Sequence, residues 1–314
     1  MLSVQSRAVD VEVQLPATLQ RYGHSTMASL TGNPEGMLVA VLGGISGNRF
    51  VGHGEAGGPG WWPGMVGDGC AIDPHKHYIL GLDFAADPGG CCAPSTGDQA
   101  RVLAAALQKA GRRRFDAIIG ASYGGMVALS FGEQFPDRVC NLVIISAAAR
   151  PYPAATAIRE LQRRVVALGL RHEDGEEALS IARGLAMLSY RTADEFAERF
   201  HGGLDCDDPL SSLDAGAYLK ARGHAYKNVM SPERFLSLSA SIDRHRADPS
   251  KIQTPTLLIG ANSDQVVPPC QMRDLAQTLA GKAELHLRDC LYGHDMFLKE
   301  APAVGQLVQS FLES

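Results

Sequence analysis

Short apolar segments recur along the chain and predict the strands of a single sheet. Near the N-terminus, Val9, Val11, Val13 and Leu15 alternate with polar residues, and this period of two indicates a half-exposed strand at an antiparallel sheet edge. The later segments are continuously apolar, as parallel strands are when helices cover both faces of a sheet. These segments are residues 37–42, 78–84, 115–119, 142–146 and 256–260.

Helical segments lie between several of these strands. Residues 98–110 are rich in alanine and leucine and stop at Gly111, which suits the end of a helix. Residues 123–135 are apolar on one side and stop before Pro136. The alternation predicts an α/β fold with a mostly parallel central sheet flanked by helices.

Residues 151–246 interrupt the alternation with helical patterns alone. Thr192 and Glu195 form a capping-box pattern, and Ser231 followed by Pro232 suits the first positions of another helix. Strand and helix patterns resume at Thr256. We therefore expect residues 1–150 and 247–314 to form two parts of one core, with residues 151–246 as an inserted all-helical lid.

Composition narrows the class of protein. The chain has 314 residues, of which 45% are hydrophobic, and a net charge of −5, so one large domain fits and neither nucleic acid nor an anionic membrane surface is expected as the partner. Arg7, Asp10 and Glu12 argue against a signal peptide, and no apolar run is long enough to span a membrane. Seven cysteines without a C-x-x-C pair predict reduced thiols in the cytoplasm and no metal site.

The sharpest chemical signal is Gly-Ala-Ser-Tyr-Gly at residues 120–124, with Ser122 at its centre. It follows a predicted strand and precedes a predicted helix, which is the context of a nucleophile elbow. Glycines two residues before and after Ser122 permit the tight turn. We interpret Ser122 as a nucleophile, the alternative being an ordinary glycine-rich turn.

A serine nucleophile needs a general base that an acid orients, and this fold carries them in the order serine, acid, histidine. Asp264 follows the strand that ends near Gly260, and His294 follows a further strand predicted at residues 284–290. Each residue alone could be a solvated loop side chain. Their order and their positions at strand ends together predict a Ser122–His294–Asp264 triad.

The loop after the strand at residues 37–42 has the sequence Gly-Gly-Ile-Ser-Gly-Asn. We expect the backbone N–H groups of Ile45 and Tyr123 to form an oxyanion hole. A phosphate-binding loop is the alternative for these glycines, but no Gly-Lys-Ser/Thr follows them. Trp61 and Trp62 lie in the next glycine-rich segment, where they either pack in the core or line the site.

From Val39 to Leu298, the chain resembles the homoserine O-acetyltransferases and O-succinyltransferases of the α/β-hydrolase fold. The similar stretches are residues 43–48, 60–62, 71–73, 120–126, 182–192, 218–219, 242–245, 263–264 and 293–295. The resemblance implies ping-pong transfer of an acyl group from a coenzyme A thioester, used as co-substrate without a bound cofactor, to an amino-acid hydroxyl.

By the same resemblance, Arg191 binds the carboxylate of the acceptor and Asp295 binds its amine. Arginine offers a planar fork to a carboxylate, and aspartate complements an ammonium group. The alternatives are a salt bridge at a helix end for Arg191 and a solvated loop acid for Asp295. The family also implies a homodimer formed with the help of the lid helices.

Two departures from the family pattern leave the acyl donor open between acetyl-CoA and succinyl-CoA. The oxyanion loop begins Leu-Gly-Gly where relatives have His-Ala, and residues 87–98 are shorter than in relatives. The acceptor is expected to be L-homoserine, with L-serine as the alternative, since one methylene is worth only ~1–3 kcal/mol in a pocket. An esterase or thioesterase that uses water, and a non-catalytic scaffold, are the competing functions.

Overall fold

A computed structural model describes residues 8–52, 58–202 and 214–314. Its centre is an eight-stranded sheet in the order β1-β2-β4-β3-β5-β6-β7-β8. The strands are β1 (Val9–Gln14), β2 (Ser25–Gly32), β3 (Met37–Leu42), β4 (His77–Leu82), β5 (Ala117–Ala121), β6 (Leu142–Ile145), β7 (Thr256–Ala261) and β8 (Ala283–Arg288). The pairs β1–β2 and β2–β4 are antiparallel, and the other neighbouring pairs are parallel.

Strand β1 lies at the edge of the sheet and is half exposed, as its alternating pattern predicts. Val9 is 57% exposed, whereas Val13 is fully buried. The sequence pattern did not reveal its neighbour β2, because serine, threonine and glycine interrupt the apolar residues of that strand. One of these polar side chains, Ser29, donates a hydrogen bond to the backbone carbonyl of Arg49.

Helices cover both faces of the sheet, which explains the continuously apolar strands. Successive residues of β7 illustrate this: Leu258 belongs to one buried cluster, and Leu257 and Ile259 belong to the other. The helices are α1 (Thr96–Lys109), α2 (Tyr123–Gln134), α3 (Pro153–Arg171), α4 (Gly175–Tyr190), α5 (Ala193–Arg199), α6 (Ala215–Tyr226), α7 (Pro232–Asp243), α8 (Pro269–Thr278), α9 (Met296–Lys299) and α10 (Ala301–Leu312).

Helices α3 to α7 lie between β6 and β7 in the chain, where the sequence predicts only helices. We call residues 151–246 the helical insert; its residues 203–213 lie outside the described ones. Helix α4 packs against α3, α6 and α7, and also against the turn at Gly293–Asp295. No helix in the described part of the chain is long and apolar enough to cross a membrane.

Candidate active site

Ser122 lies in a sharp turn between β5 and α2. Its φ of 54° and ψ of −117° are strained for a residue with a side chain. The flanking glycines are required by close backbone approach: a Cβ on Gly120 would lie 2.3 Å from the carbonyl oxygen of Gly124, and a Cβ on Gly124 would lie 2.3 Å from that of Leu42. The turn is therefore the elbow that the sequence predicts.

The structure brings the three predicted triad residues into one hydrogen-bonded chain. His294 Nε2 lies 2.8 Å from Ser122 Oγ, and His294 Nδ1 lies 2.8 Å from Asp264 Oδ2. Since a carboxylate only accepts, Nδ1 carries the proton and Nε2 is free to accept the serine proton. This arrangement suits a serine nucleophile with a histidine base.

Burial and charge have opposite effects on the proton affinity of His294. Burial lowers the pKa of His294, but the negative charge of Asp264 and its hydrogen bond outweigh burial, so the pKa lies above the usual 6.5. The second oxygen of Asp264 accepts hydrogen bonds from the backbone N–H groups of Val266 and Val267, at 2.8 and 2.9 Å. These bonds fix the side chain of Asp264 in position beside His294.

The loop after β3 passes directly beside the nucleophile. A Cβ on Gly44 would lie 4.0 Å from the Cβ of Ser122, and the N–H of Gly124 donates to the carbonyl of Gly43 at 2.8 Å. The backbone N–H groups of Ile45 and Tyr123 have no acceptor within residues 8–52, 58–202 and 214–314. Both are thus available to an oxyanion on a substrate of Ser122, as an oxyanion hole requires.

Two cavities meet at Ser122 and His294, and residues of the helical insert line both. The Asp295 cavity, of about 170 Å³, is bounded by the loop 44–47 together with Trp61, Arg183, Tyr190 and Asp295. The Ile158 cavity is narrower, about 30 Å³, and is lined by Met126, Tyr152, Ile158, Arg159 and Val266 among others. The nucleophile is therefore accessible from two sides with different chemistry.

Trp61 and Trp62 have different environments. Trp61 lines the Asp295 cavity. Trp62 is 1% exposed, stacks on Trp61 and donates its indole N–H to the carbonyl of Phe297. Trp61 therefore contributes to the site, and Trp62 to the core beneath it.

Arg191 and Asp295, the two residues expected to bind the acceptor, contact each other. Arg191 Nε lies 3.3 Å from Asp295 Oδ2, and a second carboxylate, Glu195, pairs with both Arg191 and Arg199. Asp295 lines the Asp295 cavity, and its contact with the acceptor stays a prediction. The side chain of Arg191 is only 4% exposed and lines neither cavity at Ser122.

Arg191 therefore lies in a buried ion-pair cluster at the end of α4, the alternative that the sequence left open, and its contact with the acceptor stays a prediction. The cluster forms for a local reason. Helix α4 ends at Tyr190, so Arg191 leaves the helical path and turns toward the first turn of α5. There, Thr192 caps α5 by accepting the N–H of Glu195 at 3.1 Å. In the predicted capping box the carboxylate of Glu195 would bond back to Thr192, but in the structure it pairs with the two arginines.

Sequence reasoning did not single out Arg183, which lines the Asp295 cavity. It lies on α4 seven residues before Tyr190, another cavity residue, so the two residues share a helix face. This spacing within the segment 182–192 is the signal that could have identified it.

One group of potential metal ligands occurs among the described residues. Asp68, Asp73 and His75 bring potential ligand atoms within 4.8 Å of one another. However, Asp73 already accepts the backbone N–H groups of Gly69 and His75, and the three residues line neither cavity at Ser122. Another hollow, of about 480 Å³ between Arg150 and Thr278, contains no triad residue.

Comparisons with known proteins agree with this geometry. Residues 50–301 match the model of the alpha/beta hydrolase fold family. The chain is 37% identical over 288 residues to a homoserine O-succinyltransferase from Xanthomonas campestris pv. campestris, covering 91% of this chain and 78% of that protein. It is 30% identical to a homoserine O-acetyltransferase from Deinococcus radiodurans, covering 90% of this chain and 84% of the relative.

Solved structures share the fold across their full length. Esterase E22 superposes with a TM-score of 0.84 at 18% identity, covering 98% of this chain and 100% of that chain. A homoserine O-acetyltransferase from Bacillus anthracis superposes with a TM-score of 0.82 at 15% identity, covering 100% and 99%. These identities support the fold alone, and the expected α/β-hydrolase fold is confirmed. The sequence relatives establish that this chain belongs to the homoserine O-acyltransferase family of acyltransferase enzymes within the α/β-hydrolase fold.

Proposed function

We propose that this protein transfers an acyl group from a coenzyme A thioester to the hydroxyl of L-homoserine. The observation that carries the proposal is the cavity at the triad. Its wall holds Asp295, one residue after the base His294, beside the reactive Ser122. A simple ester needs no charged partner there, whereas an amino acid brings an ammonium group that a carboxylate complements.

The triad geometry supports a ping-pong mechanism. Ser122 Oγ attacks the thioester carbonyl as His294 Nε2 takes its proton, and the N–H groups of Ile45 and Tyr123 stabilise the oxyanion. The thiol leaves with the proton from His294, and Ser122 is left as an ester. The homoserine hydroxyl then gives its proton to His294 and attacks the ester carbonyl. The bond from the carbonyl carbon to Ser122 Oγ breaks, and His294 returns the proton to Oγ. Asp264 keeps His294 oriented throughout.

For the acyl donor, we favour succinyl-CoA. The chain is more similar to the succinyltransferase from Xanthomonas campestris than to the acetyltransferase from Deinococcus radiodurans, at 37% against 30% identity. The Ile158 cavity also carries Arg150 and Arg159. Arg159 shares the single carboxylate of Asp243 with Arg163, so this group retains a net positive charge. Cationic side chains suit an acyl group that ends in a carboxylate.

The proposal extends to the setting of the enzyme. An O-acylhomoserine product would serve methionine synthesis. The six cysteines in the described ranges are free thiols, which supports a reducing cytoplasm.

Helices α3 and α4 expose five large apolar side chains, which support burial against a second copy of the chain as a homodimer. They are Leu161, Leu168, Ile181, Leu185 and Leu188.

The test measures coenzyme A release from succinyl-CoA and from acetyl-CoA, each with L-homoserine, with L-serine or without acceptor. We expect release with succinyl-CoA to depend on L-homoserine and to yield O-succinylhomoserine by mass spectrometry. Faster release with acetyl-CoA would reverse the donor assignment. Equal release without any acceptor would identify a hydrolase and contradict acyl transfer.

A further inference from the structure

The end of α4 packs tightly against the turn at residues 293–295, which includes Asp295. In that turn, Gly293 has a φ of 54°, and a Cβ there would lie 2.7 Å from the carbonyl oxygen of Tyr190. A side chain larger than hydrogen therefore does not fit between the two backbones. Arg191 follows Tyr190 in the chain, so this close contact holds Arg191 beside Asp295.

The guanidinium of Arg191 is divided between two carboxylates. Its Nη1 pairs with Oε1 of Glu195, and its Nε lies 3.3 Å from Oδ2 of Asp295. The Nε–H group makes no hydrogen bond within the described part of the chain, so the contact with Asp295 is an ion pair without an aligned hydrogen bond. Arg191 is thus held mainly by Glu195. The carboxylate of Asp295, on the wall of the cavity at Ser122, is only partly engaged.

Glu195 has no access to a substrate of Ser122. It is 3% exposed and lines neither cavity at the triad. Helix α5 fixes its position, since Thr192 accepts the N–H of Glu195 at 3.1 Å, and its Oε1 also accepts from Nη1 of Arg199 at 3.0 Å. A buried glutamate of this kind can influence the reaction only through the arginines that it holds.

Loss of the charge on Glu195 would change the partner of Arg191. Asp295 would be the carboxylate that remains in contact with Arg191 among the described residues. A buried guanidinium that loses one anion is drawn to the other, because an unpaired buried charge is costly. Arginine can bind both oxygens of a carboxylate, so Arg191 would then neutralise the charge that Asp295 offers to the cavity.

We infer that Glu195 is a positioning residue for the acceptor: it holds Arg191 so that the carboxylate of Asp295 stays available to the ammonium group of L-homoserine. The inference rests on the proposed function. Removal of Arg191 alone is also harmful, because Glu195 and Asp295 then lose the cation that they share. Removal of both Arg191 and Glu195 leaves Asp295 without a competitor and without a second carboxylate beside it.

The test is a double-substitution cycle, with whichever of succinyl-CoA and acetyl-CoA the wild type uses faster. Glu195→Gln, which keeps the size of the side chain, should raise KM for L-homoserine roughly tenfold and leave the burst of Ser122 acylation by the donor unchanged. The double variant Arg191→Met/Glu195→Gln should have a lower KM for L-homoserine than either single variant.

Two further variants separate charge from structure. Glu195→Asp keeps the negative charge and should retain a KM for L-homoserine closer to that of the wild type than Glu195→Gln does. Glu198→Gln, at an exposed position of the same helix, is the matched control and should have the KM of the wild type.

Two results would overturn the inference. A double variant no better than the weaker single variant would show that Glu195 only stabilises the fold. Slower acylation of Ser122 in Glu195→Gln, by as much as transfer to L-homoserine, would show the same. Failure of the proposed function is a separate result: the wild type would then release coenzyme A without transfer to L-homoserine, which would refute the function and the inference with it.

Discussion

The core and the helical insert contribute different parts of the site. The core supplies Ser122, Asp264 and His294 from three loops at the sheet, and each of these side chains has its partner within the triad. The insert supplies Arg183 and Tyr190, which line the cavity above the triad. On the proposed function, the core therefore supplies the reacting groups together with Asp295, and the insert completes the wall of the cavity that the acceptor enters.

The two regions also differ in how firmly the fold fixes their residues. The triad residues follow parallel strands whose register is continuous from β3 to β8. The insert contacts the loop that carries His294 through specific side chains, such as Thr192, whose hydroxyl donates to the carbonyl of Leu291. A substitution in the core should thus remove the reaction, and one in the insert should change its partner.

Asp264→Asn, a substitution in the core, should have the largest effect on catalytic activity. Without the carboxylate, His294 loses the charge that raises its pKa, and the amide can hold the wrong tautomer, so kcat should fall by about 10³- to 10⁴-fold. In the wild type, activity should rise with pH through a midpoint above 6.5, because the base must be neutral. The residual activity of the variant should show this midpoint at lower pH. A variant with wild-type kcat and midpoint would contradict the assigned role of Asp264.

The sequence predicted the core side of the site well, because local rules govern it. Gly120 and Gly124 are needed wherever a strand turns into a helix around Ser122, and Asp264 and His294 follow strands whose apolar pattern is visible. The contribution of the helical insert to the site was harder to predict. That Arg191 points toward Glu195 depends on where α4 ends, and that Arg183 faces the cavity depends on how α4 packs on the core. The spacing of Arg183 and Tyr190 indicates a shared helix face, but no local pattern shows which part of the core that face packs against.

Arg191→Met tests whether the insert acts on the acceptor through Asp295. Glu195 and Asp295 would lose a buried cation, so transfer to L-homoserine should fall by at least roughly tenfold. Acylation of Ser122 by the donor alone should change less. Rapid mixing with donor, followed by a chase with L-homoserine, separates the two steps. A slower burst with an unchanged chase would place Arg191 on the donor side.

The contacts of His245 at the junction between the helical insert and the core can be tested by the pH dependence of the unfolding free energy. Nε2–H of His245 donates to the carbonyl of Ala148, and Nδ1 accepts from Thr96. Burial lowers the pKa of His245 to about 3. Because the unfolded chain takes up this proton near pH 6.5, the wild type should lose about 1.4 kcal/mol of unfolding free energy per pH unit below 6.5.

His245→Gln provides the comparison for this loss. The variant should be less stable at pH 7.5, but the difference from the wild type should shrink as the pH falls from 6.5 toward 4.5. Urea unfolding at a series of pH values measures both proteins. A stability difference that stays constant over this range would show that His245 is not held neutral.

Leu185→Glu should have the smallest effect on catalysis. It tests whether the exposed apolar face of the helical insert contacts a second copy of the chain. Leu185 is 36% exposed beside Ile181 and Leu188 on α4. If this face is buried against a second copy, a carboxylate there should shift the protein from dimer to monomer in light scattering at micromolar concentration. Lys220→Glu on α6 is the control and should leave the mass unchanged. A monomeric wild type would contradict the proposed dimer.

The most direct test of the account is the covalent state of Ser122 between the two half-reactions. Mixing the enzyme with succinyl-CoA alone should add the mass of one succinyl group to the peptide that contains Ser122, and Ser122→Ala should show no addition. L-Homoserine should remove the group within one turnover and appear as O-succinylhomoserine. An adduct on another residue, or loss of the group at the same rate without L-homoserine, would contradict acyl transfer through Ser122.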